Sequence, residues 1–498
     1  MILGIDLGTT NSSAAIIKNG KPVFVKTDTA KNDYLLPSVV AYGDNGNILV
    51  GHKAKARYVI DPESAIRSVK NHIGTNHEVH LFNPKTETTE IFTPVEISSY
   101  ILAEIKRLAE EQFGINIEKA VITVPAYFND RARKDTIKAG ELAGFEVMRI
   151  INEPTAAALC YGTQSKKQNA QYVMVYDLGG GTFDTSIIEI NGDIVEVVAS
   201  DGDRNLGGDN FDYALFSSFY QSIKEKGNSN VNNIKNMALI LTEAEAVKNK
   251  LTSAAKYKAN ITSLKYEETI YREDFEKLIS DLLNKTLNHC KSVIAKSKLK
   301  PQDISKILLV GGSSRTPAVK EMLETELGIP TSQEVDPDLA VVTGAAIQSA
   351  IIDGQKVNSV LLDVAPHSIS VSCVLEKNGK TIPNYCTKII KKNTPIPCTV
   401  EEVFSTITED QKNARVAIYQ GESDFEEGNI LVKELKFDGL KIKKGQETEI
   451  LVTFSYKLDG TIDIHVGEEG TQNKIKHSLN LLSKKKEDFE EKIPSITH

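Results

Sequence analysis

Two segments of this sequence are built alike and have the composition of a phosphate cradle. Leu3-Gly4-Ile5-Asp6-Leu7-Gly8-Thr9-Thr10-Asn11 runs on to Asn19-Gly20, and Met174-Val175-Tyr176-Asp177-Leu178-Gly179-Gly180-Gly181-Thr182-Phe183-Asp184 runs on to Asn191-Gly192. In each, an apolar strand enters Asp-Leu-Gly, a Gly/Thr-rich turn follows, and an apolar strand comes back. Glycines let backbone N–H groups approach phosphate oxygens closely, Thr hydroxyls add donors, and the leading Asp holds a hydrated cation. One such hairpin is an ordinary strand exit; two imply two similar lobes around a nucleotide. A third turn, Leu309-Val310-Gly311-Gly312-Ser313-Ser314-Arg315, follows a strand and precedes a helix. It reads either as a seat for an adenine ring with Arg315 stacked on it or as a plain strand-to-helix connection. No Gly-x-x-x-x-Gly-Lys-Ser/Thr occurs, and no Gly-x-Gly-x-x-Gly opens a helix, which disfavours the P-loop and Rossmann classes.

These turns need a frame. From Met1 to about Ile352 short β-branched runs alternate with helix-length amphipathic segments, the pattern of an α/β architecture. Residues 120–124 and 306–310 are predicted strands buried on both faces. Residues 94–112, 234–251 and 317–327 are predicted helices. From about Leu361 short alternating strands take over, so a second, β-rich domain is expected. Ser368-Ile369-Ser370-Val371-Ser372 alternates, and residues 449–456 place Ile450, Val452, Phe454 and Tyr456 on one face. Asp459-Gly460 is a two-residue hairpin turn, after which Ile462, Ile464 and Val466 return. Between the domains, residues 353–363 form a polar stretch ending in an apolar knot, Val360-Leu361-Leu362, which suggests a docking linker.

The chain has 498 residues, 40 % of them apolar, enough for about two to four domains. Fifty-nine Lys plus Arg against 67 Asp plus Glu give a formal charge of -8, so no nucleic-acid partner is expected. No apolar run approaches a bilayer span, and the start lacks a basic leader, so a cytoplasmic protein away from membranes is expected. Cys160, Cys290, Cys373, Cys386 and Cys398 are an odd set without a Cys-x-x-Cys pair, and are read as reduced, mostly buried thiols.

Five segments together resemble the 70-kDa heat-shock chaperones, the DnaK family. They are 4–12, Val124-Pro125-Ala126-Tyr127-Phe128, Ile151-Asn152-Glu153-Pro154-Thr155-Ala156-Ala157-Ala158, 177–184 and Leu309-Val310-Gly311-Gly312. The resemblance runs from Met1 to about Leu482. Within the family, Tyr419-Gln420-Gly421-Glu422 followed by Asn429-Ile430-Leu431-Val432 is most similar to short bacterial HscC-type members.

The resemblance implies an actin-like (ribonuclease H-like), two-lobed ATPase domain over 1–352 and a linker over 353–362. A β-sandwich peptide-binding domain over 363–482 and a charged tail over 483–498 would follow, in place of the family's helical lid. It implies ATP and ADP as ligands with Mg²⁺, and K⁺ as a further cation. Asp6 and Asp177 match the carboxylates that hold Mg²⁺ through waters; Lys70 matches a lysine near the γ-phosphate, and Glu153 the carboxylate beside the attacking water. By residue type alone Lys70 is a solvated helix lysine, and only the resemblance gives it a role. Gly8, Thr9, Thr10 and Asn11 fall in the first phosphate loop, and Gly179, Gly180, Gly181, Thr182 and Asp184 in the second. Gly207 and Gly208 match further phosphate-side glycines. Glu245, Lys248, Gly311, Gly312, Ser314, Arg315 and Asp338 match the nucleoside pocket. In the β-domain, Ile369, Val371, Val374, Phe404 and Val416 match positions lining or supporting a pocket for one apolar side chain. Ile407 matches an arch over the peptide, and Ala414 stands where a larger Val is typical; sandwich core is the competing reading for each. Asn249, Gly207-Gly208-Asp209-Asn210 and Ser359 depart from the family's usual residues.

The implied activity is ATP hydrolysis coupled to binding and release of extended, unfolded client polypeptides. The implied partners are a J-domain co-chaperone and a nucleotide-exchange factor, with the chain itself a monomer. A sugar or acetate kinase would share the ATPase core but leaves the linker and β-domain without a purpose. An actin-like filament protein would polymerise with nucleotide.

Overall fold

A computed structural model describes residues 1–28, 33–164, 170–191, 194–227, 229–332, 336–355, 360–365, 367–377, 380–392, 394–408, 410–441, 447–457 and 461–480. The Asp459-Gly460 turn, Gly192, Ser359 of the linker and the tail over 483–498 lie outside these residues. The chain divides into two compact units, mainly Met1–Val195 with Ala199–Val360, and Leu361–Lys485.

The first unit carries two mixed sheets laid out on one plan. In the first, the strand order is Glu146–Asn152, Lys119–Val124, Ile2–Asp6, Asn11–Lys18, Lys21–Phe24. In the second it is Thr331–Ser332, Ile304–Val310, Gln171–Leu178, Phe183–Asn191, Ile194–Asp203. In each, the strand bearing Asp-Leu-Gly pairs antiparallel with the strand after it and parallel with a distant one. The echo read in the sequence is therefore an echo in topology. Parallel pairing requires crossovers, and helices Asp130–Leu142 and Pro317–Leu327 supply two of them, the first between Lys119–Val124 and Glu146–Asn152.

Local sequence explains the helix ends. Helix Pro94–Phe113 starts at Thr93, whose hydroxyl accepts from the Glu96 N–H while the Thr93 N–H donates to the Glu96 carboxylate at 2.7 Å. It stops at Gly114, in the left-handed region at φ 68°. Helix Ala340–Ile352 is buried almost throughout and presses on the first sheet. A Cβ on Gly4 would lie 2.3 Å from the Ala346 nitrogen, and one on Gly344 would lie 1.8 Å from the Ala156 carbonyl. Glycine at both places lets backbones meet at distances a side chain forbids.

The second unit consists of two four-stranded antiparallel sheets. One is ordered Lys380–Ile390, Ile369–Lys377, Asn413–Gln420, Ile430–Asp438; the other Cys398–Ser405, Glu449–Tyr456, Thr461–Glu468, Lys474–Asn480. Ile450, Val452, Phe454 and Tyr456 are buried, and Val452 pairs with Val466, Phe454 with Ile464 and Tyr456 with Ile462. They share one core with Ile369, Val371, Val416 and Phe437 of the other sheet, the packing of a β-sandwich. The end of the expected linker is already strand, Val360–Val364, which pairs with Pro395–Ile396. Three of the five cysteines, Cys160, Cys290 and Cys386, are buried, while Cys373 and Cys398 are half-buried; none is in a disulfide. Among the described residues no helix is long and apolar enough to cross a membrane.

Candidate functional site

The two echoing turns meet. The first hairpin sets Asp6 opposite Ser13, and the second sets Asp177 opposite Asp184 and Leu178 opposite Phe183. A Cβ on Gly180 would fall 1.9 Å from the Thr10 hydroxyl oxygen, and one on Gly181 would fall 2.0 Å from Asn71 Oδ1. Close approach between the turns is thus what demands glycine here. Two more glycine turns brace the second loop from behind. The Gly208 N–H donates to the Gly179 carbonyl (2.9 Å) and the Asp209 N–H to that of Gly180. Gly311, at φ +78°, sits where a Cβ would be 2.5 Å from the Leu178 carbonyl, and the Ser313 hydroxyl donates to Gly179 O at 3.0 Å.

Together these turns wall a cavity of about 390 Å³. Asp6, Gly8, Thr9, Thr10, Asn11, Lys70, Glu153, Asp177, Gly179, Gly180, Thr182, Glu245, Lys248, Gly311, Gly312, Arg315 and Asp338 all line it. The remaining predicted residues stand one layer back. Gly181 faces Asn71, Gly207 and Gly208 support the second loop, Ser314 is buried with its hydroxyl donating to Gly311 O at 2.7 Å, and Asp184 is buried.

Lys70 corrects the reading by residue type. It sits in a short 3₁₀ turn, Val69–His72, entered through Ser68 at φ 56°, and is only 4 % exposed. Its ammonium donates to Glu153 Oε1 at 2.5 Å, from the first residue of helix Glu153–Gln164. A buried lysine is expected only with a partner, and the partner here is Glu153, 83 residues along the chain.

The cavity floor is short of positive charge. Asp6, Asp177 and Glu153 in the lining and Asp184 one layer behind converge on Lys70, four carboxylates to one ammonium, with the Arg133 guanidinium pulling on Asp184 as well. Burial, and then repulsion from Glu153, push Asp6 up to about 7 against the opposing pull of Lys70 and the Thr123 hydroxyl, which donates at 2.9 Å. The same two causes push Asp184 up to about 7, and Asp177 is raised by burial, Glu153 and Asp184. Burial would lower Lys70, but Glu153 and Asp6 outweigh it and hold the ammonium charged. Among the described residues Asp184 Oδ1 is buried with no hydrogen-bond partner. An orphaned carboxylate oxygen, three carboxyls held back from ionising, and a glycine cradle fit a hydrated divalent cation carrying a polyphosphate. Asp6 and Asp177 could hold such a cation, and the Gly/Thr turns its phosphates.

At the other end of the cavity, Arg315 donates to Asp338 (2.6 Å) and Asp336 (2.8 Å), which fixes the guanidinium plane. Glu245 takes Lys55 at 2.7 Å and Arg67 at 3.1 Å, and these outweigh burial to hold it below its ordinary value. Lys248 pairs with Asp212 at 2.8 Å. Sequence reasoning missed Lys55, Leu35 and Thr252 in the lining, and Thr123 behind Asp6. Thr123 left a signal, as the one polar residue in a buried Val-Ile-Thr-Val strand; Lys55, on a polar amphipathic helix, left none.

In the second unit Ile369, Val371, Ala414 and Val416 are members of the sandwich core and Phe404 packs against it, while Val374 and Ile407 are exposed. A model of one protein family, described as Hsp70 protein, matches residues 2–495 of this chain.

Proposed function

The chain belongs to the Hsp70 family, whose members are ATP-dependent chaperones that bind client polypeptides, and from that premise we propose how its own residues divide the work. The 1–352 region is a two-lobed, actin-like ATPase, 353–362 is a coupling linker, and 363–482 is a clamp for extended, unfolded polypeptide. The observation that carries the ATPase reading is the charge-poor cavity floor. Four carboxylates around Lys70, under two facing glycine turns, suit MgATP and little else.

In this reading Asp6 and Asp177 hold Mg²⁺ through waters, with K⁺ as a further cation, and Thr9, Thr10 and Thr182 donate to phosphate oxygens. Mg²⁺ supplies charge neutralisation on the phosphates. Lys70 counters charge developing on the γ-phosphate, and Glu153, fixed by Lys70, orients the attacking water. Glu245, Lys248, Arg315 and Asp338 seat the nucleoside. The clamp takes one apolar client side chain at Ile369, Val371, Val374, Phe404, Ala414 and Val416, under Ile407. Backbone pairing to an extended client supplies affinity, and the pocket supplies selectivity. ATP and client binding are reciprocal through the linker, so client stimulates hydrolysis. A J-domain co-chaperone and a nucleotide-exchange factor complete the cycle around a cytoplasmic, monomeric, HscC-type member.

Steady-state ATP hydrolysis with and without an extended apolar peptide tests this. The reading expects slow hydrolysis that peptide raises severalfold. Hydrolysis indifferent to every peptide tried would remove the coupling, and absence of hydrolysis would remove the reading itself.

A further inference from the structure

One further buried carboxylate in the first unit, Asp201, has no place in the scheme above. Asp201, near the end of strand Ile194–Asp203, is 7 % exposed and collects five donors from three parts of the chain. Its own neighbour, the Gly202 N–H, donates at 2.8 Å. From helix Ser280–Ser297 come the Ser292 hydroxyl (2.5 Å), the Lys296 ammonium and, at 3.1 Å, His289 Nδ1. Residues 289, 292 and 296 are spaced to lie on one helix face. The fifth donor is the Tyr127 hydroxyl, at 3.0 Å, from the loop between strand Lys119–Val124 and helix Asp130–Leu142.

Tyr127 links this hub to the cavity. Its side chain reaches Asp201, while its backbone N–H donates to the carboxylate of Asp184. Arg133 holds the carbonyls on either side, Phe128 at 3.0 Å and Ala126 at 3.2 Å, so the loop pivots little about Tyr127. The ring is therefore a strut between a saturated carboxylate and one of the four crowded ones. We propose that Asp201 is a positioning residue for ATP hydrolysis: by anchoring the Tyr127 hydroxyl it fixes the N–H that orients Asp184 at the second phosphate loop. This rests on the ATPase reading given above. Asp201 touches neither nucleotide nor metal, so its effect is on the rate of the chemical step and not on the affinity of the ground state.

Single-turnover hydrolysis and ADP affinity in the full chain, for wild type, Tyr127→Phe, Asp201→Asn and the double variant, decide the matter. Tyr127→Phe deletes one oxygen and keeps the ring, so folding is not at issue. Each single variant is expected to lower the hydrolysis rate about tenfold with ADP affinity within about twofold. The double variant should be no slower than the slower single, because both break one strut. Lys296→Arg, which keeps the charge on Asp201, should restore the rate that Lys296→Met loses. Wild-type rates in Tyr127→Phe, or losses that multiply in the double variant, would overturn the inference while leaving the ATPase reading intact. A wild-type chain without ATPase activity would sink both together.

Discussion

In the first unit a buried cluster of carboxylates and a lone buried carboxylate have opposite electrostatics. Around Lys70, Asp6, Asp177, Asp184 and Glu153 share a single ammonium, and the three aspartates are pushed above their ordinary values by burial and then by Glu153. Around Asp201, burial acts in the same direction, but hydrogen bonds from Lys296, Ser292, His289 and Gly202 outweigh it and hold the carboxyl well below its ordinary range. Burial alone thus decides nothing; the number of donors does. A saturated carboxylate is a structural joint. A cluster left short of positive charge is destabilised by itself and is completed by a cation from outside, which is what a binding site requires.

The comparison breaks if the crowded cluster does no chemistry. Lys70→Ala should lower ATP hydrolysis about 10²–10³-fold, the scale of removing one preorganised charge at a transition state. Quenched-flow hydrolysis read beside ADP binding checks that the loss is in rate. Next in size, Asp201→Ala should cost about 2 kcal/mol of stability in thermal or urea unfolding, because it strands several donors at once. An unchanged unfolding midpoint would deny the hub its role as a joint. Gly180→Ala places a methyl 1.9 Å from the Thr10 oxygen, forcing the two turns apart. About 1 kcal/mol of nucleotide affinity, roughly fivefold, should go with it in equilibrium titration.

The smallest effect sharpens the contrast through pH. Asp6 and Asp184 ionise near 7 when folded and near 4 when unfolded. Between about pH 4 and pH 7 the folded chain then holds more protons than the unfolded one, and stability falls as pH rises through that window. Asp201 has the opposite sign: its depressed carboxyl contributes stability that is present above about pH 4 and is lost on acidification. Melting curves of the nucleotide-free chain should therefore flatten between about pH 4 and pH 7 in Asp184→Asn, and below about pH 4 in Asp201→Asn. Equal slopes in the two variants would erase the distinction.

The crowded cluster was legible in the sequence because its parts are local. Asp-Leu-Gly followed by a Gly/Thr turn is a contiguous signal, and its repetition at Asp6 and Asp177 foretold the shared sheet plan. Helices 94–112 and 234–251 were legible for the same reason, each by its apolar periodicity along a contiguous stretch. The burial of Lys70 was not, since a lysine in a polar stretch looks solvated until Glu153, far along the chain, is folded beside it. Asp201 left no mark at all. Its five donors come from residues 127, 202, 289, 292 and 296, and nothing local distinguishes it from the half-buried Asp203 two residues on. The apolar positions of the second unit show a further limit, because alternation gives strand and face but does not separate a clamp pocket from the sandwich core that Val371 and Val416 occupy.

The central claim is that the charge-poor cluster is completed by a cation carrying a nucleotide. Equilibrium titration of ADP with and without Mg²⁺, in the wild type and in Asp177→Asn, addresses it most directly. The account predicts that omitting Mg²⁺, or removing the Asp177 charge, weakens ADP binding at least about tenfold, and that the two losses do not add. ADP bound equally well without Mg²⁺ and in Asp177→Asn would contradict it.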